Sequence, residues 1–441
     1  MGKRPHVLAI AYPAQGHIGA LMKLCHLLAD HDIKVTFVNT ESIHARVDMV
    51  VIPDGIDHQD ERKDRIQLSE TMVNVMPGHL EDLIKKINLS CDEKISCVIA
   101  DATTAWAPDV AEKMGIKRAM FWPSLVGGFA LSLHIQELIQ AKIIDHNGKF
   151  QYNLVIQISP ELPAMIPSEF IWSCPGDPIR QNIIFRYVEY ANKAVKNSNW
   201  LLCNSFYELD SSICDLIPNL LPIGPLLSIN HPGKPTGNFW PEDSTCLHWL
   251  DKQPAQSVIY VAFGSIAIFN QCQFEELALG LELSGQPFLW VVRSDLMDGS
   301  IIKYPEGFLD RVASRGKITE WAPQEKVLAH SSIACFVSHC GWNSTMEGLS
   351  MGVPFLCWRY FADQFLVKSY ICEVWKAGLG LNIETNGIIS SHEIRRKLDK
   401  LLCDGGIRDN VTQLKEMARK SGSEGGSSMN NFEIFIKQLR C

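Results

Sequence analysis

The stretch "HVLAIAYPAQGHIGALMKLCHLLADHDIKVTFVN" covers residues 6–39 and predicts the fold of the amino-terminal half. It begins with an apolar run, as expected for a strand that is buried on both faces of a sheet. After the turn "PAQGH", apolar residues recur at helical spacing from Ile18 to Leu28. The run "IKVTFVN" predicts a second buried strand. This β-α-β unit indicates a parallel sheet with a right-handed crossover.

The same alternation of strands and helices continues beyond residue 39. Further apolar runs predict strands, of which we expect the last to complete this sheet: "SCVIAD" at 96–101, "RAMFW" at 118–122 and "WLLCNS" at 200–205. Prolines then crowd residues 217–256, which we interpret as an interdomain linker. After it, apolar runs predict strands at 257–263, 287–292, 316–319, 334–338 and 353–357, with a helix at 271–285 and helices from about 390.

Two α/β segments around a linker predict two doubly wound, Rossmann-like domains that face each other across a cleft. A length of 441 residues suits two domains better than one. The predicted boundaries are 1–224 for the amino-terminal domain, 225–256 for the linker, 257–425 for the carboxy-terminal domain, and 426–441 for a last helix that packs back on the first domain. Ligands of such sheets bind at the carboxyl ends of the strands, so we expect the functional site there.

Composition excludes several classes of protein. Hydrophobic residues make up 46% of the chain, which predicts large cores and argues against disorder. A net charge of −8 argues against a nucleic-acid binder, which needs a basic surface. The 14 cysteines are dispersed without a C-x-x-C pair, which favours a reduced, cytoplasmic protein. No stretch is long and apolar enough to predict a membrane span.

The segment "VSHCGWNSTMEG" at 337–348 admits three interpretations. A metal site is not expected, because His339 and Cys340 are adjacent and no second ligand pair supports them. Ser344 and Glu347 have the spacing of a helix capping box. Alternatively, a strand ends here and a helix begins near Asn343, and the free N–H groups of a helix start suit a phosphate. The last two interpretations are compatible.

The surrounding span from Trp321 to Gln364 closely resembles the signature box of the plant secondary-product glycosyltransferases, the UDP-sugar-dependent enzymes of family 1. The resemblance extends along nearly the whole chain, through "YPAQGH", "CVIAD", "WPEDSTCLHWLDKQP", "VIYVAFGS" and "GGSSMNNFEIF". It implies a GT-B-like fold and an inverting transferase of plant secondary metabolism. The enzyme would move glucose from UDP-glucose to a hydroxyl of an apolar small molecule, namely a phenolic, a flavonoid or a terpenoid.

The resemblance also implies a role for each matching residue. Trp321 would stack on the uracil ring and the backbone of Ala322 would hold the edge of that ring. Other residues would bind the ribose hydroxyls (Gln324, Glu347), the diphosphate (His339, Asn343, Ser344, Ser265) and the sugar (Trp342, Asp363, Gln364). Gln364 at the end of the box is similar to the residue of glucose users. From the residues alone, the favoured interpretations are a core residue for Trp321 and a helix cap for Asp363.

His17 and Asp101 are the candidate catalytic pair. His17 follows the first strand and Asp101 ends the strand "SCVIAD", so both lie at the carboxyl edge of the predicted sheet. A histidine that a carboxylate orients can remove a proton from a hydroxyl, although each residue is also a plausible helix cap. The resemblance implies the catalytic role: His17 deprotonates the acceptor, whose oxygen displaces UDP from the anomeric carbon with inversion.

We expect neither a cofactor nor a metal ion, since UDP-glucose is a co-substrate and side chains would carry the charge of the departing UDP. The single D-x-D sequence, Asp30-His31-Asp32, is interpreted as a solvated turn. We expect a monomer.

Three departures from the family pattern stand out: Arg359 and Ala20 replace prolines, and the segment 44–52 is short. They motivate an alternative function, a UDP-sugar-binding protein or weak UDP-sugar hydrolase that has lost efficient transfer. A dinucleotide oxidoreductase and a serine hydrolase are disfavoured, because G-x-G-x-x-G in the first turn and G-x-S-x-G are absent.

Overall fold

A computed structural model describes residues 4–40, 49–56, 65–90, 92–230, 240–297 and 302–441 of the chain. The chain divides into two compact units. The first comprises Met1–Phe239 with Lys420–Cys441, and the second comprises Trp240–Arg419. The chain therefore passes from one unit to the other between residues 239 and 240, inside the segment 225–256 that the sequence predicts as a linker.

The described part of the first unit contains a parallel sheet of seven strands in the order β3-β2-β1-β4-β5-β6-β7. The strands are β1 His6–Ile10, β2 Lys34–Thr40, β3 Met49–Ile52, β4 Ile95–Asp101, β5 Lys117–Trp122, β6 Trp200–Cys203 and β7 Leu220–Pro222. The α-helices that accompany them are α1 Gln15–Asp30, α2 Arg65–Ser90, α3 Ala107–Lys113, α4 Val126–Leu133, α5 Ile135–Gln140, α6 Pro178–Lys196 and α7 Ser211–Cys214.

The second unit repeats this architecture with a parallel sheet of six strands in its described part, in the order β10-β9-β8-β11-β12-β13. The strands are β8 Val258–Ala262, β9 Phe288–Val291, β10 Gly316–Thr319, β11 Ile333–Ser338, β12 Phe355–Cys357 and β13 Gly378–Gly380. Its α-helices are α8 Thr245–Leu250, α9 Gln271–Ser284, α10 Phe308–Val312, α11 Gln324–Leu328, α12 Trp342–Met351, α13 Gln364–Ser369, α14 Ser391–Cys403 and α15 Gly405–Ser421.

The chain returns to the first unit in a last helix, α16 Ser427–Arg440. Its apolar face joins the core cluster that contains strand β1 and helix α1, through Phe432, Phe435, Ile436 and Leu439. The ring of Phe435 meets that of Trp200 edge-on at 5.2 Å, and Arg440 donates to the carbonyl of His31 at 2.8 Å. Helix α16 is therefore an integral part of the core of the first unit.

The order of the strands places one switch point in each sheet. Strands β1 and β4 are neighbours in the first sheet, and β8 and β11 are neighbours in the second. The chain leaves each pair in opposite directions across the sheet, which opens a crevice at the carboxyl ends of the two strands. The residues that follow β1, β4, β8 and β11 are therefore the ones to inspect for function.

The predicted fold class, two doubly wound α/β domains, is confirmed. The prediction that "WLLCNS" completes the first sheet is wrong, because β7 lies beyond it and pairs with β6. Strand β7 and strand β13 escape sequence analysis because each has only three residues and contains proline or glycine. Residues 44–48 of the short segment 44–52 lie outside the described residues.

Candidate active site

His17 and Asp101 meet at the switch point of the first sheet. His17 lies in the first turn of α1, and Asp101 is the last residue of β4. The Nδ1 atom of His17 is 2.8 Å from Oδ2 and 3.0 Å from Oδ1 of Asp101. The Asp101 side chain is fully buried, whereas 29% of the His17 side chain is exposed. The buried Asp101 carboxylate can therefore orient the imidazole of His17, and the accessible imidazole can react.

The tautomer of His17 follows from this contact. A carboxylate only accepts hydrogen bonds, so the proton of the neutral imidazole resides on Nδ1 and leaves the lone pair on Nε2. The ring of Tyr12 lies edge-on to that of His17 at 5.6 Å. The arrangement presents a basic nitrogen whose orientation is set by Asp101.

The alternative that both residues are helix caps holds only for Asp101. The residue before α1 is Ala14, and no side chain of the described residues caps this helix, so His17 has no capping role. Asp101 accepts from the backbone N–H of Thr103 at 2.8 Å and caps the short 3-10 helix Ala102–Thr104. The Thr103 hydroxyl also donates to Oδ1 of Asp101. Asp101 thus combines a cap with the contact to His17.

His339 is the centre of the switch point in the second sheet. Its ring packs between Gly264, in the loop after β8, and Gly341, in the loop after β11. A methyl group added at Gly264 would lie 2.6 Å from Nε2 of His339, and one added at Gly341 would lie closer still. Gly264 also has a φ of +64°, which favours glycine. The two loops therefore close around the ring only because both positions lack a side chain.

Arg293, just after strand β9, sets the electrostatics of this loop pair. Its guanidinium is buried and donates to the carbonyls of Gly264 and Ala267, the latter at 2.9 Å, while Nε meets Asp295 at 2.8 Å. Burial and then the charge of Arg293 lower the pKa of His339 to about 4, although the Ala262 carbonyl opposes this shift. His339 is therefore neutral near pH 7.

Sequence analysis did not identify Gly264 or Arg293. The available signal for Arg293 was a single arginine at the end of the apolar run "PFLWVV". An arginine is seldom buried unless it is paired, so its position after the carboxyl end of a buried strand is a cue for a functional loop.

Helix α12 begins at Trp342 with Gly341 as its cap residue, and no side chain of the described residues caps it. The capping box is therefore wrong: Ser344 is already the third helical residue and Glu347 the sixth. Both side chains instead accept from the Nε2 amide of Gln324, at 2.8 Å and 2.7 Å. The start of α12 thus lacks a side-chain cap among the described residues, and a helix start of this kind suits an anion, as the ligand interpretation expects.

Gln324, Ser344 and Glu347 form one polar cluster. The Tyr260 hydroxyl donates to Oε1 of Gln324 at 3.2 Å, which orients the amide so that its NH₂ group faces the other two residues. Ser344 and Glu347 are buried. A hydroxyl-rich ligand would meet preoriented acceptors here.

Trp321 is half-buried rather than part of the core, so the core interpretation is wrong. Its ring stacks on that of Trp240, with centroids 4.7 Å apart and planes inclined by 27°. The guanidinium of Arg293 lies 5.9 Å from the Trp240 ring. The adjoining Ala322 is buried. Trp321 is therefore an aromatic platform that Trp240 supports from one side.

Ser265 and the residues that the resemblance assigns to the sugar all lie in the second unit. Ser265 is half-buried in the Gly264–Ala267 loop. Gln364 is buried, and its Oε1 accepts from the N–H groups of Tyr360 and Phe361, at 2.8 Å and 3.0 Å. Asp363 precedes α13 without a side-chain cap bond in the described part of the chain, so the capping interpretation is wrong.

Asn343 and Trp342 occupy the first turn of α12, where Trp342 is buried near Trp375.

Among the departures from the family pattern, Arg359 places its guanidinium 5.1 Å from the ring of Phe365, so it has a contact of its own. Ala20 is fully buried in α1. Gln364 keeps its hydrogen bonds to Tyr360 and Phe361 with Arg359 in place.

The D-x-D sequence at 30–32 ends α1, and Asp32, whose side chain is 81% exposed, pairs with Arg4 at 3.0 Å. Within the described ranges, no group of three or more His, Cys, Asp or Glu side chains is placed to hold a metal ion. None of the helices in the described part of the chain has the length and apolar character needed to cross a membrane.

A cavity of about 780 Å³ lies elsewhere in the first unit, between α2, α6 and the loop at 145–149. Its walls mix apolar, aromatic and charged side chains, such as Val73, Ile183, Tyr187, Lys149 and Arg186. Neither His17 nor Asp101 lines it.

Comparison with known proteins agrees with this geometry. The family described as "UDP-glucoronosyl and UDP-glucosyl transferase" matches residues 177–422, more than half of the chain. UDP-glycosyltransferase 83A1 of Arabidopsis thaliana is 41% identical, over 99% of this chain and 97% of its own length.

Two solved structures cover almost the whole chain. A UDP-glucosyltransferase from Polygonum tinctorium that glucosylates indoxyl is 28% identical, with a TM-score of 0.85 and full coverage of both chains. A Medicago truncatula enzyme complexed with UDP-glucose, UGT71G1, is 27% identical, with a TM-score of 0.83 and 99% of each chain covered. With this fold, these matches and the residues assembled at the two switch points, the chain belongs to the plant family 1 glycosyltransferases and is a UDP-glycosyltransferase.

Proposed function

We propose that this enzyme transfers glucose from UDP-glucose to a hydroxyl of an apolar small molecule, with His17 as the general base. The observation that carries the proposal is the contact of 2.8 Å between His17 Nδ1 and the buried Asp101 carboxylate. This contact leaves a basic Nε2 for the acceptor hydroxyl and places a negative charge where the imidazolium forms.

In the proposed reaction, His17 removes the proton of the acceptor hydroxyl as the oxygen attacks the anomeric carbon. The bond from that carbon to UDP breaks on the opposite face, so the configuration inverts. The charge that grows on UDP is stabilised by the amino end of α12, together with Asn343, Ser344, Ser265 and the neutral ring of His339. In this scheme neither a metal ion nor a cofactor takes part.

The rest of the donor is assigned by the chemistry of each group. The half-buried ring of Trp321 suits stacking on the uracil ring, whose edge the backbone of Ala322 holds. Glu347 suits a pair of ribose hydroxyls, and Gln324 lies beside it. Trp342, Asp363 and Gln364 bind the sugar. Support for glucose comes from Gln364 and from the similar Medicago enzyme, whose solved complex contains UDP-glucose.

For the acceptor we propose a phenolic, a flavonoid or a terpenoid. Support comes from the resemblance to family 1 and from the similar Polygonum enzyme, which glucosylates the aromatic molecule indoxyl. We further propose that the enzyme acts as a cytoplasmic monomer.

The test is a reaction of the purified enzyme with a panel of acceptors from these classes and one of several UDP-sugars, followed by mass spectrometry. We expect a glucoside of at least one acceptor and faster transfer from UDP-glucose than from UDP-galactose or UDP-glucuronic acid. UDP release without any glycoside would instead establish the hydrolase alternative. Preference for another sugar would overturn the role of Gln364.

A further inference from the structure

Three neighbouring cysteines of the second unit lie in or near the loop that carries His339. Cys340 and Cys357 are buried, whereas Cys372 is partly exposed. Cys357 ends strand β12, and Cys372 lies in the π-helical turn Tyr370–Val374. The Sγ atoms of Cys357 and Cys372 are 3.8 Å apart, in contact but unbonded. A π-helical turn often marks a functional position, so the pair merits a chemical interpretation.

The acid–base properties of Cys372 differ from those of the buried cysteines. Burial raises the pKa of Cys97 and of Cys335 to about 12, as expected for structural thiols. The pKa of Cys372 is instead lowered, first by its hydrogen bond with the Cys357 thiol and further by the charge of Lys368, although burial opposes this shift. Burial raises the pKa of Cys357. These opposite shifts make Cys372 the more acidic thiol of the pair.

The exposure of the two side chains also indicates that Cys372 reacts before Cys357. A thiol that senses oxidants is accessible and lies next to a second cysteine that resolves the oxidised form. Cys372 reaches the surface, and Cys357 is 2% exposed and in contact with it. The two sulfur atoms need to approach by less than about 2 Å to reach disulfide bonding distance.

We propose that Cys372 and Cys357 are a modification site, a dithiol that peroxides oxidise to a disulfide. The Cys372 thiolate attacks one oxygen of hydrogen peroxide, the O–O bond breaks, and a sulfenic acid and hydroxide form. The hydroxide takes up the proton that the Cys372 thiol released and becomes water. The Cys357 sulfur then attacks the Cys372 sulfur, the S–S bond forms, and the hydroxyl leaves with the proton of Cys357 as water. One peroxide is reduced to two waters while two thiols are oxidised to one disulfide.

The site lies next to the residues described above but does not depend on the proposed function. Trp358, which follows Cys357, donates its backbone N–H to the carbonyl of Ser338 at 2.8 Å, and Ser338 precedes His339. The proposal concerns thiol chemistry alone, so an enzyme with a different donor or acceptor would still form this disulfide.

The test treats the reduced full-length protein with increasing hydrogen peroxide, blocks the remaining thiols and maps tryptic peptides without reduction. The expected product joins peptide 327–359 to peptide 369–376, lighter by two hydrogens than the separate peptides, and disappears on reduction with dithiothreitol. It should form before the exposed Cys272 and Cys403 are oxidised. Oxidation of those two residues without this crosslink would overturn the proposal.

Variants identify the two partners. Cys372→Ser should abolish the crosslink, while Cys357→Ser should leave a sulfenic acid on Cys372 that dimedone traps. Cys340→Ser is the matched control, because Cys340 lies in the same peptide as Cys357 and its loss should leave the crosslink in place. A fragmentation spectrum of the wild-type crosslink gives the same assignment if a variant fails to fold. A crosslink through Cys335 or Cys340 would contradict the proposed pair.

Discussion

At the scale of single residues, the proposed chemistry depends on the negative charge of Asp101. Asp101→Asn preserves the size of the side chain but removes the charge that stabilises the imidazolium of His17. We expect kcat for transfer to fall on the order of 10²- to 10⁴-fold, with little change in KM for the donor. Steady-state kinetics measure both constants.

Thr103→Val is the matched control for that change. It removes the hydroxyl that donates to Asp101 but retains the carboxylate and its contact with His17. Its loss of kcat should be about tenfold or less, the size of one hydrogen bond. Equal losses in the two variants would mean that Asp101 acts through loop structure rather than through its charge.

Because the pKa of His339 is lowered on folding, we expect the free energy of unfolding to depend on pH. The value falls from 6.5 to about 4 on folding, so between these values the unfolded chain binds more protons than the folded one. Protonation therefore favours unfolding, and the His339 contribution to stability decreases as the pH falls from about 6.5 to about 4. Above pH 6.5 the contribution is constant.

Calorimetry of the wild type and of His339→Gln at pH 7 and pH 5 tests this. The wild type should lose more thermal stability between the two pH values than the variant does. Other titrating groups, such as the buried His6, are common to both proteins and cancel in the comparison. Parallel losses would contradict a buried, neutral His339.

At the scale of elements, the loop after β8 depends on a residue without a side chain. Gly264→Ala places a methyl group 2.6 Å from the His339 ring and also imposes a positive φ on alanine. The backbone cost is about 1–2 kcal/mol. Displacement of the ring should add a loss of transfer activity on the order of 100-fold, as small misplacements of site residues do.

Gly285→Ala separates these two effects. Gly285 ends α9 with a φ of +69°, and a methyl group there meets no heavy atom of the described residues within 4 Å. This variant should show a similar drop in melting temperature but normal kcat and KM for UDP-glucose. If both variants lose activity equally, backbone strain rather than the His339 contact explains the effect.

The start of helix α12 shows what sequence patterns determine at this scale. The turn at Gly341 and a helix beginning close to Asn343 follow from "SHCGWNS", because an apolar strand ends there. The capping box does not follow, because the helix starts at Trp342, three residues before the start that a cap at Ser344 requires, so Ser344 and Glu347 lie inside it. Their contact with Gln324 joins residues about 20 positions apart, which local spacing does not encode.

At the scale of the whole molecule, helix α16 completes the core of the first unit from the far end of the chain. Phe435 is fully buried, whereas its neighbour Ile434 is 45% exposed. Phe435→Ala should lower the stability of the first unit by about 3–5 kcal/mol, as the loss of a core phenylalanine does. Ile434→Ala should change it by less than about 0.5 kcal/mol. Calorimetric melting of both variants measures this, and similar melting curves would show that α16 is dispensable for the core.

Only part of this structure was predictable from the sequence. Long apolar strands such as β1 and β4 were predictable, because burial on both faces leaves a continuous pattern. The meeting of His17 and Asp101 was predictable as well, since both lie at the carboxyl edge of one parallel sheet. Arg293 and the stacking of Trp240 on Trp321 were not, because these contacts depend on tertiary packing of residues that are distant in sequence.

The central claim is that His17 acts as the base in glucosyl transfer. The direct measurement is the rate of glucoside formation by His17→Ala and by the wild type at saturating UDP-glucose, with the rise in melting temperature on adding UDP measured for both. We predict a loss of rate on the order of 10²- to 10⁴-fold with an unchanged UDP response. Equal rates in the two proteins would contradict the claim.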